Sequence, residues 1–302
     1  MGHKKAVTTT KIYLENAPLP SHGKTYTVVS HKEVMDHTQK LLKVNGFKIN
    51  NQLFKASMNA RVAQGIYNIS GVNSVSDNEI SMMFAWTNSY DKSTRFQCGV
   101  GAYVMVCNNG MIHGDMANYG RKHTGTANAD IAVSIAQQIS VASQNFNQLV
   151  QDKNDMKTVN LSNKKQAEFL GRLFVEEKLL DSQQMTCVKN EMEKASYNYG
   201  VNSDCAWSFY NHVTHALKLT HPRNWMKNQA KFHEFMTAEC LSNTKNNTKD
   251  TYTNSEDDIQ MPEEHLIELP DGRIIDELDA ARPENENYDN EDYDSSNNVF
   301  TL

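Results

Sequence analysis

Residues 80–116 read ISMMFAWTNSYDKSTRFQCGVGAYVMVCNNGMIHGDM. Two runs with β-forming residues flank the polar turn Asn88-Ser89-Tyr90-Asp91-Lys92, and the second ends at Val106-Cys107-Asn108-Asn109-Gly110. Asn, Asp and Gly suit turns because short polar side chains bond the local backbone and glycine accepts positive φ. The stretch therefore predicts a β-hairpin with polar tips. Just upstream, residues 47–72 alternate loosely, with Phe47, Ile49, Phe54, Ile66 and Ile69 among polar residues. Together with 79–87 and 95–107 they predict about four antiparallel strands, because the connections are too short for parallel crossovers.

Before the sheet, Ser30 and Glu33 have the spacing of a capping box and predict a helix over 31–45, ended by Gly46. Residues 1–23, which contain Pro18, Pro20 and Gly23, read as an extended arm. Beyond a Gly/Asn/His-rich loop at 110–128 the period changes. Ile131, Ile135, Ile139, Ala142, Phe146 and Leu149 step by three or four and predict one long amphipathic helix. Further helices are expected at about 162–179, within 183–196, at 204–219 and at 224–241, by the same spacing argument. Elements segregated in this way define an α+β fold: an N-terminal helix, an antiparallel sheet and a helical half, within a domain spanning 24–242. From Asn243 the chain becomes a polar linker. His265–Ile275 looks like a hairpin about Pro270-Asp271-Gly272, and the acidic remainder is expected to be disordered because it has little surface to bury.

The chain has 302 residues and a net charge of −6, which hides a division. Residues 251–302 carry 16 Asp/Glu against 2 Lys/Arg, whereas residues 1–250 carry 28 Lys/Arg against 20 Asp/Glu. A basic body with an acidic tail suits a polyanionic partner, with the tail as its competitor. No apolar run approaches the roughly 20 residues needed to cross a bilayer, and no secretory signal opens the sequence, so the host cytoplasm is the expected location. The five cysteines, Cys98, Cys107, Cys187, Cys205 and Cys240, form no CxxC pair and read as free, mostly buried thiols.

The turn Asn88-Ser89-Tyr90-Asp91 and the strand end Val106-Cys107-Asn108-Asn109 resemble motifs of the phage and plasmid proteins grouped as domain-of-unknown-function family 932. The segment Ala206-Trp207-Ser208-Phe209-Tyr210-Asn211-His212-Val213-Thr214 resembles that family's late helix, so the likeness spans about residues 25–240. Tyr90 departs from the histidine usual at its position. The resemblance implies a mobile-element product with an α+β fold and carries over no activity.

Asn88, Asp91, Cys107 and Asn109 would approach one another if the strands pair, but no orienting base beyond His113 stands near Cys107 in sequence. Their expected role is structural: Asn88 and Asp91 cap the turn, and Cys107 is buried. His212, His215, His221 and His233, with Cys205 and Cys240, lack the HExxH or CxxC geometry of a zinc site. Gly99-Val100-Gly101 has no helix after it and GK[ST] is absent, which argues against a P-loop. No cofactor, metal or catalytic residue is therefore assigned. Lys92 and Arg95 at the hairpin, Arg121 and Lys122 on the following loop, and Arg223 with Trp225 between two helices are the candidate nucleic-acid contacts: cations for phosphates and an aromatic face for a base. The near-terminal Phe300 in the acidic tail resembles the tips of single-stranded-DNA-binding proteins. The expected function is phage-type single-stranded-DNA binding or annealing in replication or recombination, with no membrane and homo-oligomers allowed. The alternative is a host-takeover protein that binds a bacterial complex, with the tail mimicking DNA.

Overall fold

The computed structural model describes residues 7–21, 28–71, 74–112 and 127–247, together with two short strands at 266–268 and 274–276. It separates into two units, Met1–Thr251 and Tyr252–Leu302.

The first unit is α+β. Its sheet is an antiparallel meander of β1 (Val7–Thr9), β2 (Lys48–Ala56), β3 (Val62–Ser70), β4 (Ile80–Ser89), β5 (Gln97–Val104) and β6 (Asn109–Ile112), paired in that order. The predicted hairpin is β4–β5, which pairs Ile80 with Val104 and Thr87 with Gln97. The arm departs from the extended reading. Thr8 pairs with Lys55, which adds β1 to the sheet, and Thr10 caps the short helix α1 (Lys11–Glu15). β6, the other strand missed in sequence, pairs Asn109 with Val104.

Helix α2 (His31–Val44) starts on the Ser30/Glu33 capping box. It ends as expected at Gly46, where φ is +79°, with Phe47 N donating to Leu42 O and Gly46 N to Lys43 O. The long helix expected from Ile131 breaks into α3 (Ala127–Ser140) and α4 (Ala142–Thr158). At the break the Ser140 hydroxyl bonds back to Gln137 O, an alternative to the helical ladder that periodicity does not reveal. α5 (Asn163–Val175), α6 (Ser182–Glu193), α7 (Ala206–Leu217) and α8 (Pro222–Asn247) complete the helical half.

Both faces of the central strands are covered, so β3 and β4 read as nearly continuous buried runs. Tyr67, Phe84, Trp86, Cys98 and Val100 on one face join the main core built with the helices, including Val34, Ile135, Phe146 and Trp207. Ile66, Met83, Ala85 and Ile112 on the other face form a smaller core with Trp225, Met226 and Ala230 of α8. Gly110 makes this second packing possible, since a Cβ there would stand 2.6 Å from the Trp225 ring. The middle of α8 reaches the other helices. There Tyr210 and His233 share a hydrogen bond of 3.1 Å, and His233 contacts Asp152 at 3.0 Å, all three side chains being buried.

In the second unit Leu266–Glu268 pairs antiparallel with Ile274–Asp276, which is the hairpin read from the sequence. The tail expected to be disordered after it lies outside the described residues.

Candidate nucleic-acid interface

Two hairpin tips meet at one end of the sheet. The β2–β3 connection carries Arg61 and the β4–β5 connection carries Lys92 and Arg95, and Tyr90 N ties the two by donating to Arg61 O at 2.6 Å. Asp91 caps its turn as expected, with Oδ1 accepting from Ser93 N at 2.9 Å. Asn88 does something else, and its expected capping role is corrected. Its Nδ2 donates to Val29 O and to His31 Nδ1, both at 3.0 Å. His31 Nε2 in turn reaches Ala60 O at 2.8 Å, which places the ring proton on Nε2. The His31 ring stacks on Tyr90 at 3.9 Å between centroids. The residue that departs from the family-like histidine is therefore a structural platform for the first residue of α2.

Strand register defines what lies behind the tips. Lys55 pairs with Gln64, Gln64 with Thr87, and Thr87 with Gln97, so the four form one transverse row on a single face. The first turn of α8 sits on that face, because the Thr87 hydroxyl donates to Pro222 O at 3.4 Å. Arg223 is the next residue, and Arg95 stands two residues before Gln97. Lys55, Arg61, Lys92, Arg95 and Arg223 thus gather at the tip end of the sheet. Arg61, Lys92 and Arg95 are exposed, while Lys55 and Arg223 are half-buried. Burial, and after it Lys218, lowers the Lys55 pKa. Among the described residues Arg61, Arg95 and Arg223 have no carboxylate in ion-pair range.

Of the residues selected from sequence, Lys92, Arg95 and Arg223 therefore come together, whereas Arg121, Lys122 and Phe300 lie outside the described residues. Trp225 is corrected. It is 3% exposed, packed on Gly110, and has no face free for a base. The helical stripe that carries Trp225 inward with Met226 was the signal available in the sequence. Lys55, Arg61 and Gln64 were missed because only register brings them to Thr87 and Gln97.

The remaining motif residues pin the β5–β6 turn to α7. Asn109 Nδ2 donates to Asn211 O at 3.0 Å, and the Cys107 thiol lies 3.9 Å from Asn211 Oδ1. Burial pushes the Cys107 thiol up to about 11 despite the Asn109 backbone bond and Lys218, so it is protonated near neutrality. Cys107 is thus buried, as expected. The histidines disperse. His212 Nδ1 and His215 Nε2 stand 3.9 and 3.8 Å from the Glu191 carboxylate, His233 faces Asp152, and His221 Nδ1 accepts from Arg223 N at 3.2 Å. Among the described residues no cluster of His, Cys, Asp or Glu is arranged to hold a metal. A cavity of about 410 Å³ at the opposite end of the sheet is lined by Glu79, Met105, Val106, Tyr199 and Trp207. Its carboxylate is already paired, Glu79 to Lys157 at 2.5 Å and to Lys153 at 3.0 Å.

The described part of the first unit is thus an α+β meander with cationic residues at one end of its sheet. Residues 18–255 match the family model described as Domain of unknown function (DUF932), and the chain belongs to that family. Comparison with curated proteins and with solved structures finds no match. Among the described residues no helix is long and apolar enough to cross a membrane.

Proposed function

We propose that the chain binds single-stranded DNA by its phosphates at the tip end of the sheet, in the replication or recombination of a mobile element. The observation that carries this reading is the gathering of Lys55, Arg61, Lys92, Arg95 and Arg223 at that end, drawn from four separate parts of the sequence. Arginines with no carboxylate in reach among the described residues keep their donors for phosphate oxygens. With Trp225 buried, affinity comes from charge and depends steeply on salt. The acidic tail acts as a tethered competitor for the same cations.

Fluorescence anisotropy of a labelled single-stranded oligonucleotide, with a duplex of equal length beside it, tests the proposal. Retention of the single strand at low salt that falls by about tenfold or more on Arg95→Ala with Arg223→Ala supports it, given the dominance of phosphate contacts. Equal weak binding by wild type and the double variant sinks it.

A further inference from the structure

Glu191, near the end of α6, is buried and holds the chain that follows the helix. Its Oε1 accepts from the Ser196 hydroxyl, and its Oε2 accepts from Ser196 N at 3.0 Å. The same two oxygens face two histidines of α7. His215 Nε2 stands 3.8 Å from Oε1 and His212 Nδ1 stands 3.9 Å from Oε2, both too far for a hydrogen bond. Each carboxylate oxygen thus has one donor from the loop and one imidazole beside it.

The chain held at Ser196 also covers those rings. Tyr197 lies against His215 at 5.9 Å between centroids, and Tyr199 meets His212 edge-on at 5.8 Å. Asn198, Tyr199 and Gly200 then line the 410 Å³ cavity that Trp207, Met105 and Val106 also line. Farther on the chain is pinned again, with Gln166 Nε2 donating to Ser203 O and Leu161 N to Asp204 O. Residues 196–200 are therefore a strap between two anchors. Ser196, Asn198 and Gly200 on it are exposed, while Tyr199 is buried.

The groups that face the two rings are Cys187 and Glu191 of α6, Ser208 of α7, Lys218 beyond α7, Cys107 of the β5–β6 turn, and Tyr197 and Tyr199 of the strap. Burial opposes a charge on either ring, Lys218 adds to that on His215, and Glu191 favours the charge. His212 is wholly covered, and the buried Nδ1 of His215 has no hydrogen-bond partner. A proton on either ring is thus kept from water while the strap is shut. Lifting the strap hydrates both rings, so protons favour the open form.

We infer that residues 196–200 form a proton-released strap over the cavity, shut while His212 and His215 are neutral and lifted when they take up protons. This device stands apart from the cationic end of the sheet and does not depend on the proposed function.

The test uses the full chain and the neutral quencher acrylamide. All three tryptophans are buried, so quenching is weak near neutrality and reports any ring that becomes accessible. Between about pH 7 and about pH 4.5 the quenching constant is expected to rise about twofold or more as Trp207 is uncovered. Far-UV circular dichroism is expected to hold its neutral value over the same range, because the opening is local. His212→Gln combined with His215→Gln is expected to remove the rise. Should that double variant fail to fold, His215→Gln alone, at the partly exposed ring, is expected to diminish it. A quenching constant that keeps its neutral value in wild type overturns the inference, as does a rise that coincides with loss of the helical signal. A rise undiminished by the substitutions overturns it as well.

Discussion

Asn88 illustrates how one side chain can join parts of the chain that are distant in sequence. Its amide nitrogen holds Val29 O and His31 Nδ1, so α2 and the β4–β5 hairpin share one buried bond network. Asn88→Ala removes both of those buried bonds. Chemical denaturation is expected to show a loss of about 2–3 kcal/mol, the sum of a lost buried bond and a small cavity. A loss below about 0.5 kcal/mol, the scale of an ordinary surface change, is the contrary result. The residues read correctly from sequence act over short range: the Ser30/Glu33 box, Gly46 and the Asp91 turn bond within a few positions. Asn88 was misread because its partner Val29 lies 59 positions away in the chain, and local chemistry carries no trace of it.

Elements carry the next set of constraints. Helix periodicity located α5 through α8, because burial of one face repeats with the turn of the helix. It did not locate the α3–α4 break, where apolar spacing runs on through a local hydroxyl bond. Nor did it reveal the transverse row, since pairing register depends on both strands at once. The α6–α7 pair has a consequence that can be measured. Burial lowers the His212 pKa from 6.5 to about 4, against the opposing pull of Glu191, so the folded ring stays neutral near pH 7. Between those values the unfolded chain takes up a proton that the folded chain refuses, so stability falls as pH drops from about 6.5 towards 4. Glu191 is also buried, but its bonds to Ser196 leave its pKa lowered, and it adds a further loss at still lower pH. His212→Gln is expected to flatten the dependence of unfolding free energy on pH across the upper window. An unchanged slope contradicts this account of α7.

For the whole molecule, charge separates along the sequence: a basic body precedes the acidic residues 251–302. A tethered polyanion competes with a ligand at high effective concentration, and salt screens that competition. Removing residues 252–302, which form a separate unit, is expected to tighten single-stranded-DNA binding several-fold at low salt and less as ionic strength rises. Equal affinities at low salt contradict the tail's role. The segregated composition and the α+β order were legible from sequence because they are sums over many residues. The cationic end was not, since Lys55 and Arg61 join Arg95 and Arg223 only through register and through the seat of α8 on Thr87.

The most direct measurement is the salt dependence of single-stranded-DNA affinity for wild type and for Arg61→Ala, Arg95→Ala and Arg223→Ala, singly and combined. If these guanidinium groups neutralise phosphates, each substitution lowers the slope of log affinity against log salt by about 0.7–1, and the losses accumulate in the triple variant. A triple variant that keeps the wild-type slope contradicts the claim that the tip end of the sheet is the binding surface.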